Sequence, residues 1–260
     1  MRESLGIAVD AASVHAVLLD TDAPELGPID RRSDTLWREP GFDPVFEAAT
    51  TMLRRAQRIG LGPRVTGVVS SDAKIAAALG DAFQPHGTGI VTLVSVTDAR
   101  IGYLQSMPEL QDSRTAIVFA TEADDIVALT VDLATRGVHH AVRYPANYIG
   151  SDAIESILDE LLRRLPWGRR SVVTLGIGAA LRARIAHLAG ERRIDTHTPF
   201  DARWTLPIGA AIVAAERAVV HVELPGTARV GRARHRSPNG LGSLLRRAGG
   251  HRSAGQVFRA

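Results

Sequence analysis

Apolar positions first gather in Leu5–Asp20, LGIAVDAASVHAVLLD, where two short runs flank a small, polar middle. This pattern predicts a strand, a tight turn and a second strand. Thr35–Arg38 is expected to be a third strand. Asp43 and Pro44 then carry a helix-start signature, Asp as N-cap and Pro at the first helical position. Val45, Phe46, Ala49, Met52, Leu53, Ala56 and Ile59 follow at helical spacing, and Gly60 ends the run. Val65–Val69 predicts a strand, Asp72–Phe83 a helix, Ile90–Val94 a strand and Thr97–Met107 a helix. Alternating strands and helices favour an α/β fold with a largely parallel sheet.

The pattern restarts after a boundary loop at Asp112-Ser113. Thr115–Ala120, Asp125–Asp132 and Val138–Arg143 predict strands. Ser151 is expected to cap a helix with Ile154, Ile157, Leu158, Leu161, Leu162 and Leu165 on one face, ended by Pro166 and Gly168. Val172–Leu175 predicts a strand, and Ala179–Ala189 and Pro207–Val219 predict helices. Each half opens on a strand hairpin and proceeds to strand–helix units. The expected division is a first lobe over 1–112, a second over 113–224 and a tail over 225–260.

Composition sharpens this picture in three places. The 260 residues contain no cysteine, which removes disulfides, thiol nucleophiles and thiolate metal sites. Lys74 is the only lysine, and the arginine bias with abundant alanine points to a GC-rich genome such as an actinobacterium's. Gly226–Ala260 holds eight arginines and no acid, so against a net charge of +3 the rest of the chain stands at −5. That tail is rich in Gly, Arg, Ser and Ala, buries too little apolar surface to offset ordering entropy, and is expected to be disordered. Its arginines offer a contact to anionic lipid or nucleic acid. With no apolar run of transmembrane length and no signal-like start, the default location is the cytoplasm.

Five segments carry candidate chemistry. Gly6-Ile7-Ala8-Val9-Asp10-Ala11-Ala12-Ser13 crosses the first hairpin. Val65–Val69 with Leu93–Tyr103 leads into a helix with small Ala99 and Gly102. Ala116–Ile126 crosses the second hairpin and brings Glu122, Asp124 and Asp125 to its turn. Tyr148-Ile149-Gly150-Ser151 opens a helix. Val172–Leu181 places Gly176 and Gly178 between a strand and a helix, and Trp204–Ile212 contains Gly209-Ala210-Ala211-Ile212. In this order, these segments resemble the nucleotide-site motifs of the actin, DnaK-type chaperone and sugar-kinase superfamily. The resemblance spans roughly residues 5 to 216.

It implies a minimal two-lobed actin-like (ribonuclease H-like) ATPase fold. In that superfamily an Asp in the first loop organises metal and water, and glycines in both loops let backbone approach phosphate. Here Ala8 and Ala120 stand where the aspartates would be, and Asp10, Glu122, Ala123 and Asp124 where glycines would be. The resemblance assigns nucleotide contact to Asp10, Ser13, Gly176, Gly178, Ala179 and Gly209, with no catalytic residue and no metal ligand. The small residues at 176, 178 and 209 equally suit close packing of backbone on backbone. Glu122, Asp124 and Asp125 either solvate the turn or, with Asp10, hold a metal ion.

The expected function is a degenerate, non-hydrolysing nucleotide-binding domain acting as a chaperone-like protein-interaction scaffold. No cofactor is required; ATP or adenosine is the ligand of a relic site, and a protein is the expected partner. The rival reading is a divergent Mg-ATP-dependent ATPase or kinase of the same fold. Among nine histidines, His139 and His140 adjoin and point to opposite faces of a strand, so they share no metal. Ser70-Ser71-Asp72 lacks the context of a hydrolase elbow and reads as a helix cap.

Overall fold

The computed structural model describes residues 2–10, 12–35, 42–70, 72, 75, 89–122, 124–146, 151–165 and 168–223. The side chains of 42–45, 151–152 and 220–223 are outside this description. Met1–Leu224 forms one compact unit.

The chain forms two sheets of five strands each. In sheet 1, β1 (Glu3–Val9) is central, antiparallel to β2 (Ser13–Asp20) and parallel to β4 (Val65–Ser70). β3 (Asp30–Thr35) and β5 (Ile90–Val94) flank them. In sheet 2, β6 (Thr115–Glu122) is central, antiparallel to β7 (Asp125–Asp132) and parallel to β9 (Arg170–Leu175). Here β8 (Val138–Pro145) and β10 (Asp195–His197) are the flanking strands. The two halves therefore repeat one topology, as the restarted sequence pattern predicts.

Both central strands are apolar without alternation because both of their faces are covered. Leu5, Ile7 and Val9 point to α1 (Phe42–Arg58), where Ala49, Met52 and Ala56 pack on them. Ile117 and Phe119 point to α3 (Ser151–Arg164) and α4 (Ala179–Glu191), against Ile154, Leu158 and Ile185. Each fully buried Leu, Ile or Phe contributes about 1.5–3 kcal/mol.

The opposite faces are covered by exchange. α2 (Val96–Gln105) follows sheet 1 in the chain, yet its Ile101 and Leu104 join Ala116, Val118 and Leu129 of sheet 2. α5 (Thr205–Glu223) follows sheet 2, yet its Ile208, Ala211 and Ile212 join Val17 and Leu19 of sheet 1. α2 and α5 then pack on each other. A Cβ at Gly209 would sit 1.7 Å from the Ala99 carbonyl oxygen, and one at Gly6 would sit 1.8 Å from that of Pro207. Arg217 adds a 2.8 Å hydrogen bond to Asp98, and Arg136 pairs with Glu216.

Several boundaries differ from the sequence pattern. The third strand is Asp30–Thr35 rather than Thr35–Arg38, whose residues 36–38 lie outside the described residues. Its sequence DRRSDT has no apolar residue to betray it; backbone pairing with β2 and the Arg55–Asp30 ion pair hold it at the sheet edge. α1 begins at Phe42, so Asp43 and Pro44 lie in its first turn. Ser151 is the first residue of α3 rather than a residue before it. β10 was not expected, having three residues and one Thr as its least polar position. The helix predicted over Asp72–Phe83, Lys74, Tyr148–Gly150, Pro166 and the tail from Pro225 lie outside the described residues, apart from Asp72 and Ile75.

Candidate functional site

Strand alternation turns Ala8 of β1 and Ala120 of β6 toward the layer between the sheets, where α2 and α5 meet. A cavity of about 220 Å³ opens there, between the β1–β2 turn, the end of β6 and the loop after β9. Ala8, Ala120, Leu175 and Leu206 supply apolar lining, and Asp10, His15, Arg100 and Arg203 supply charge and polarity.

Asp10 is spent on its own turn. Its Oδ1 accepts from the backbone N–H groups of Ala12 at 2.8 Å and Ser13 at 2.6 Å, and its Oδ2 accepts from Ser13 Oγ at 2.8 Å. A carboxylate so placed satisfies the donors that a hairpin turn would otherwise present to an anion. Ser13 Oγ lies 2.9 Å from His15 Nε2. Because the Ser13 proton goes to Asp10, His15 Nε2 must carry the hydrogen of this second bond. His15 Nδ1 is then an acceptor, buried and without a partner among the described residues. Burial pushes the His15 imidazole below its ordinary pKa, and Asp10 only partly opposes this. Trp204 packs edge-on to His15 at 5.5 Å and donates from Nε1 to Asp201 at 3.1 Å.

The second turn is held differently. Glu122 and Asp125 close the β6–β7 ladder as a facing pair. Arg143 of β8 reaches both, at 2.9 Å to Glu122 and 3.2 Å to Asp125. Arg100 of α2 lies 3.6 Å from Glu122. The expectation that this turn is merely solvated is therefore corrected: two of its three acids are ion-paired, and Asp124 alone stands exposed. A metal held by Asp10 with these acids does not fit. A hard cation needs several free oxygens, whereas Asp10 is bonded to its turn and Glu122 and Asp125 to Arg143.

The structure brings Asp10 and Gly176 to the cavity, with Ser13 behind Asp10. Gly176 has φ +69°, which favours glycine, and its carbonyl accepts from Thr121 Oγ1 at 3.0 Å. Gly178 and Ala179 form the entry to α4 and do not line the cavity; a Cβ at Gly178 would meet nothing within 4 Å. Gly209 sits in the α2–α5 contact, so packing alone demands its small size. Sequence reasoning missed Arg100, His15, Arg203 and Trp204. The available signals were an arginine flanked by Ala99, Ile101 and Gly102, and the D-x-x-S-x-H spacing of Asp10, Ser13 and His15.

A groove of about 480 Å³ lies elsewhere, lined by Pro24, Tyr103, Met107, Pro108, Pro199 and Phe200 among others. Phe200 is fully exposed, and Leu26, beside the groove, is 82% exposed. Burial raises the Tyr103 hydroxyl to about 12, with the Glu109 carboxylate adding to the shift. No helix among the described residues is long and apolar enough to cross a membrane.

The fold is shared with actin-like ATPase and kinase structures. Component A of (R)-2-hydroxyglutaryl-CoA dehydratase from Acidaminococcus fermentans superposes with a TM-score of 0.54 at 11% identity, over 84% of this chain and 100% of that one. The ROK hexokinase of Thermus thermophilus gives 0.54 at 12% identity, over 84% and 99%. The activator of 2-hydroxyisocaproyl-CoA dehydratase from Clostridium difficile, solved with bound ADPNP, gives 0.52 at 13% identity, over 85% and 97%. At such identities the likeness establishes the two-lobed actin-like fold. No curated protein matches the sequence. Residues 4–223 match the model of a family of unknown function, DUF7159, and the chain belongs to that family.

Proposed function

We propose that this chain is a degenerate actin-like nucleotide-binding domain that does not hydrolyse ATP and serves as a protein-interaction scaffold in the cytoplasm. The observation that carries this reading is the commitment of Asp10 to Ala12, Ser13 and the Ser13 hydroxyl. The first turn has its own internal anion, and a phosphate brought there meets a like charge. Ala8 and Ala120 add no oxygen with which to position a metal or an attacking water. The exposed Phe200 and Leu26 beside this groove support the scaffold role. The arginine-rich tail remains a proposed contact to anionic lipid or nucleic acid.

The test is steady-state ATP turnover with Mg²⁺ by the full chain. Turnover at background is expected; turnover that Asp10→Ala abolishes overturns the reading. The rival, a divergent Mg-ATP enzyme, draws support from the open space over Gly178 at the start of α4, room that a nucleoside could use. Calorimetric titration separates the two. Tight binding of Mg-ATP favours the enzyme, and binding of adenosine with no gain from its phosphates favours a relic site.

A further inference from the structure

Pro24-Glu25-Leu26 and Pro108-Glu109-Leu110 are the same tripeptide, and both form 3₁₀ turns. The first lies between β2 and β3, the second after α2. Leu110 anchors its turn in the core, 3% exposed and packed with Ile101 and Leu104. Leu26, at 82% exposed, anchors nothing. Both 3₁₀ turns reach the groove of about 480 Å³, to which Pro24, Glu25, Pro108 and Glu109 contribute. Neither Glu25 nor Glu109 has an ion-pair or hydrogen-bond partner for its carboxylate among the described residues. The described lining contains no arginine or lysine. Elsewhere acids are met by arginine, as Glu155 and Asp159 are by Arg192.

The segment after β10 supplies the third wall. Phe200 is fully exposed there. Thr196 Oγ1 and His197 Nε2 are buried atoms of the lining with no hydrogen-bond partner among the described residues. Such orphaned polar atoms cost stability until a partner supplies the missing bond. Tyr103 adds a second aromatic ring. Aromatic rings beside unpaired carboxylates attract a cation twice, through charge and through the ring face. A small molecule would fit the volume. It would leave Leu26, outside the lining, in water, whereas a partner surface covers the groove and its exposed rim together. A symmetric dimer through this groove would set both carboxylates against their own copies.

We infer that this groove docks a basic segment of a partner protein, with an arginine or lysine held by Glu25 and Glu109 and apolar side chains laid against Phe200 and Leu26. The inference rests on the scaffold reading and deepens it, since it names where the partner is met and by what chemistry. Two unpaired carboxylates select a basic segment and reject an acidic one. The exposed aromatic and aliphatic side chains supply the lasting contact.

The experiment is selection of a phage-displayed library of random short peptides on the full chain, followed by fluorescence anisotropy of the enriched peptides at low and high salt. Enriched peptides are expected to carry arginine or lysine beside apolar residues. Glu25→Gln combined with Glu109→Gln should weaken their binding at least about tenfold and flatten its salt dependence. Phe200→Ala should weaken it about tenfold and leave the salt dependence in place. Glu47→Gln, at an exposed acid of α1 outside the groove, should change neither. All the substituted residues are exposed, so urea midpoints should match that of the wild type. Failure to enrich any peptide, enrichment without basic residues, or unchanged affinity in the groove variants overturns the inference. So does self-association of the full chain that Phe200→Ala abolishes, which gives the groove to a second copy. Peptides that bind but ignore the groove variants sink the groove and keep the scaffold role. ATP turnover that Asp10→Ala abolishes sinks the non-hydrolysing reading and leaves the groove standing.

Discussion

The β1–β2 turn and the β6–β7 turn occupy equivalent places in two sheets of one topology, and both carry acids. They satisfy those acids by opposite means. Asp10 uses donors two and three residues away in its own turn. Glu122 and Asp125 use Arg143, 21 and 18 residues distant, and Glu122 also faces Arg100. A local solution requires only the turn to form, whereas the distant one requires β8 and α2 to be in place. The first turn is therefore closed to an anion from within. The second leaves Arg100 with longer contacts, 3.6 Å to Glu122 and 3.5 Å to the Thr121 carbonyl oxygen.

The helix exchange between the sheets holds the two turns in place. Gly209→Ala should destabilise by about 3 kcal/mol, the upper end for overpacking, because its Cβ would collide with the Ala99 carbonyl. Gly178→Ala, in open space at φ −58°, should change stability by less than about 0.5 kcal/mol. Urea denaturation midpoints of the pair measure this contrast; equal losses would remove the close α2–α5 contact from the argument.

Asp10→Ala should come next, at about 1 kcal/mol by analogy with lost side-chain caps, and Asp10→Asn should retain part of the loss-free state through its amide oxygen. Arg143→Ala should cost about 0.5–1 kcal/mol, since its side chain is 56% exposed and solvent screens the pairs. Salt sharpens the difference between the turns. Added NaCl should shrink the Arg143→Ala effect and leave the Asp10→Ala effect largely intact, because the latter lies in bonds to backbone N–H groups.

The smallest effect should be a pH slope. The folded state holds His15 below its unfolded pKa of 6.5, so the unfolded chain binds more protons in the window beneath 6.5. The contribution of neutral His15 is full above that value and declines as pH falls toward the folded pKa. Stability of the wild type should therefore rise with pH across this window, and His15→Gln should flatten the rise. A slope unchanged in the variant would assign it to other groups.

Much of the fold was legible because its signals are local. The hairpins at Leu5–Asp20 and Thr115–Asp132, the apolar stripe from Ile154 to Leu165 and the Gly176 turn each lie within one stretch of chain. β3 and β10 were illegible for the converse reason: DRRSDT and DTH are held by neighbouring strands and carry no apolar period. In the site, Asp10 and Ser13 could be picked out as turn residues. Gly209 looked the same in sequence as Gly178, yet one is packed on Ala99 and the other faces open space.

The sequence alone determined the repeated strand–helix order, the absence of aspartate at positions 8 and 120, and an acid at each turn, since alternation and turn chemistry act over a few residues. The tertiary structure decided which acids are neutralised, and by what. Arg100 lies in the helix that leaves sheet 1 and packs on sheet 2, and only that exchange buries its charge beside Thr121 and Ala120. Burial and charge pairing depend on distance in space, and for Arg100 that distance is set by a crossing of helices from opposite halves of the chain.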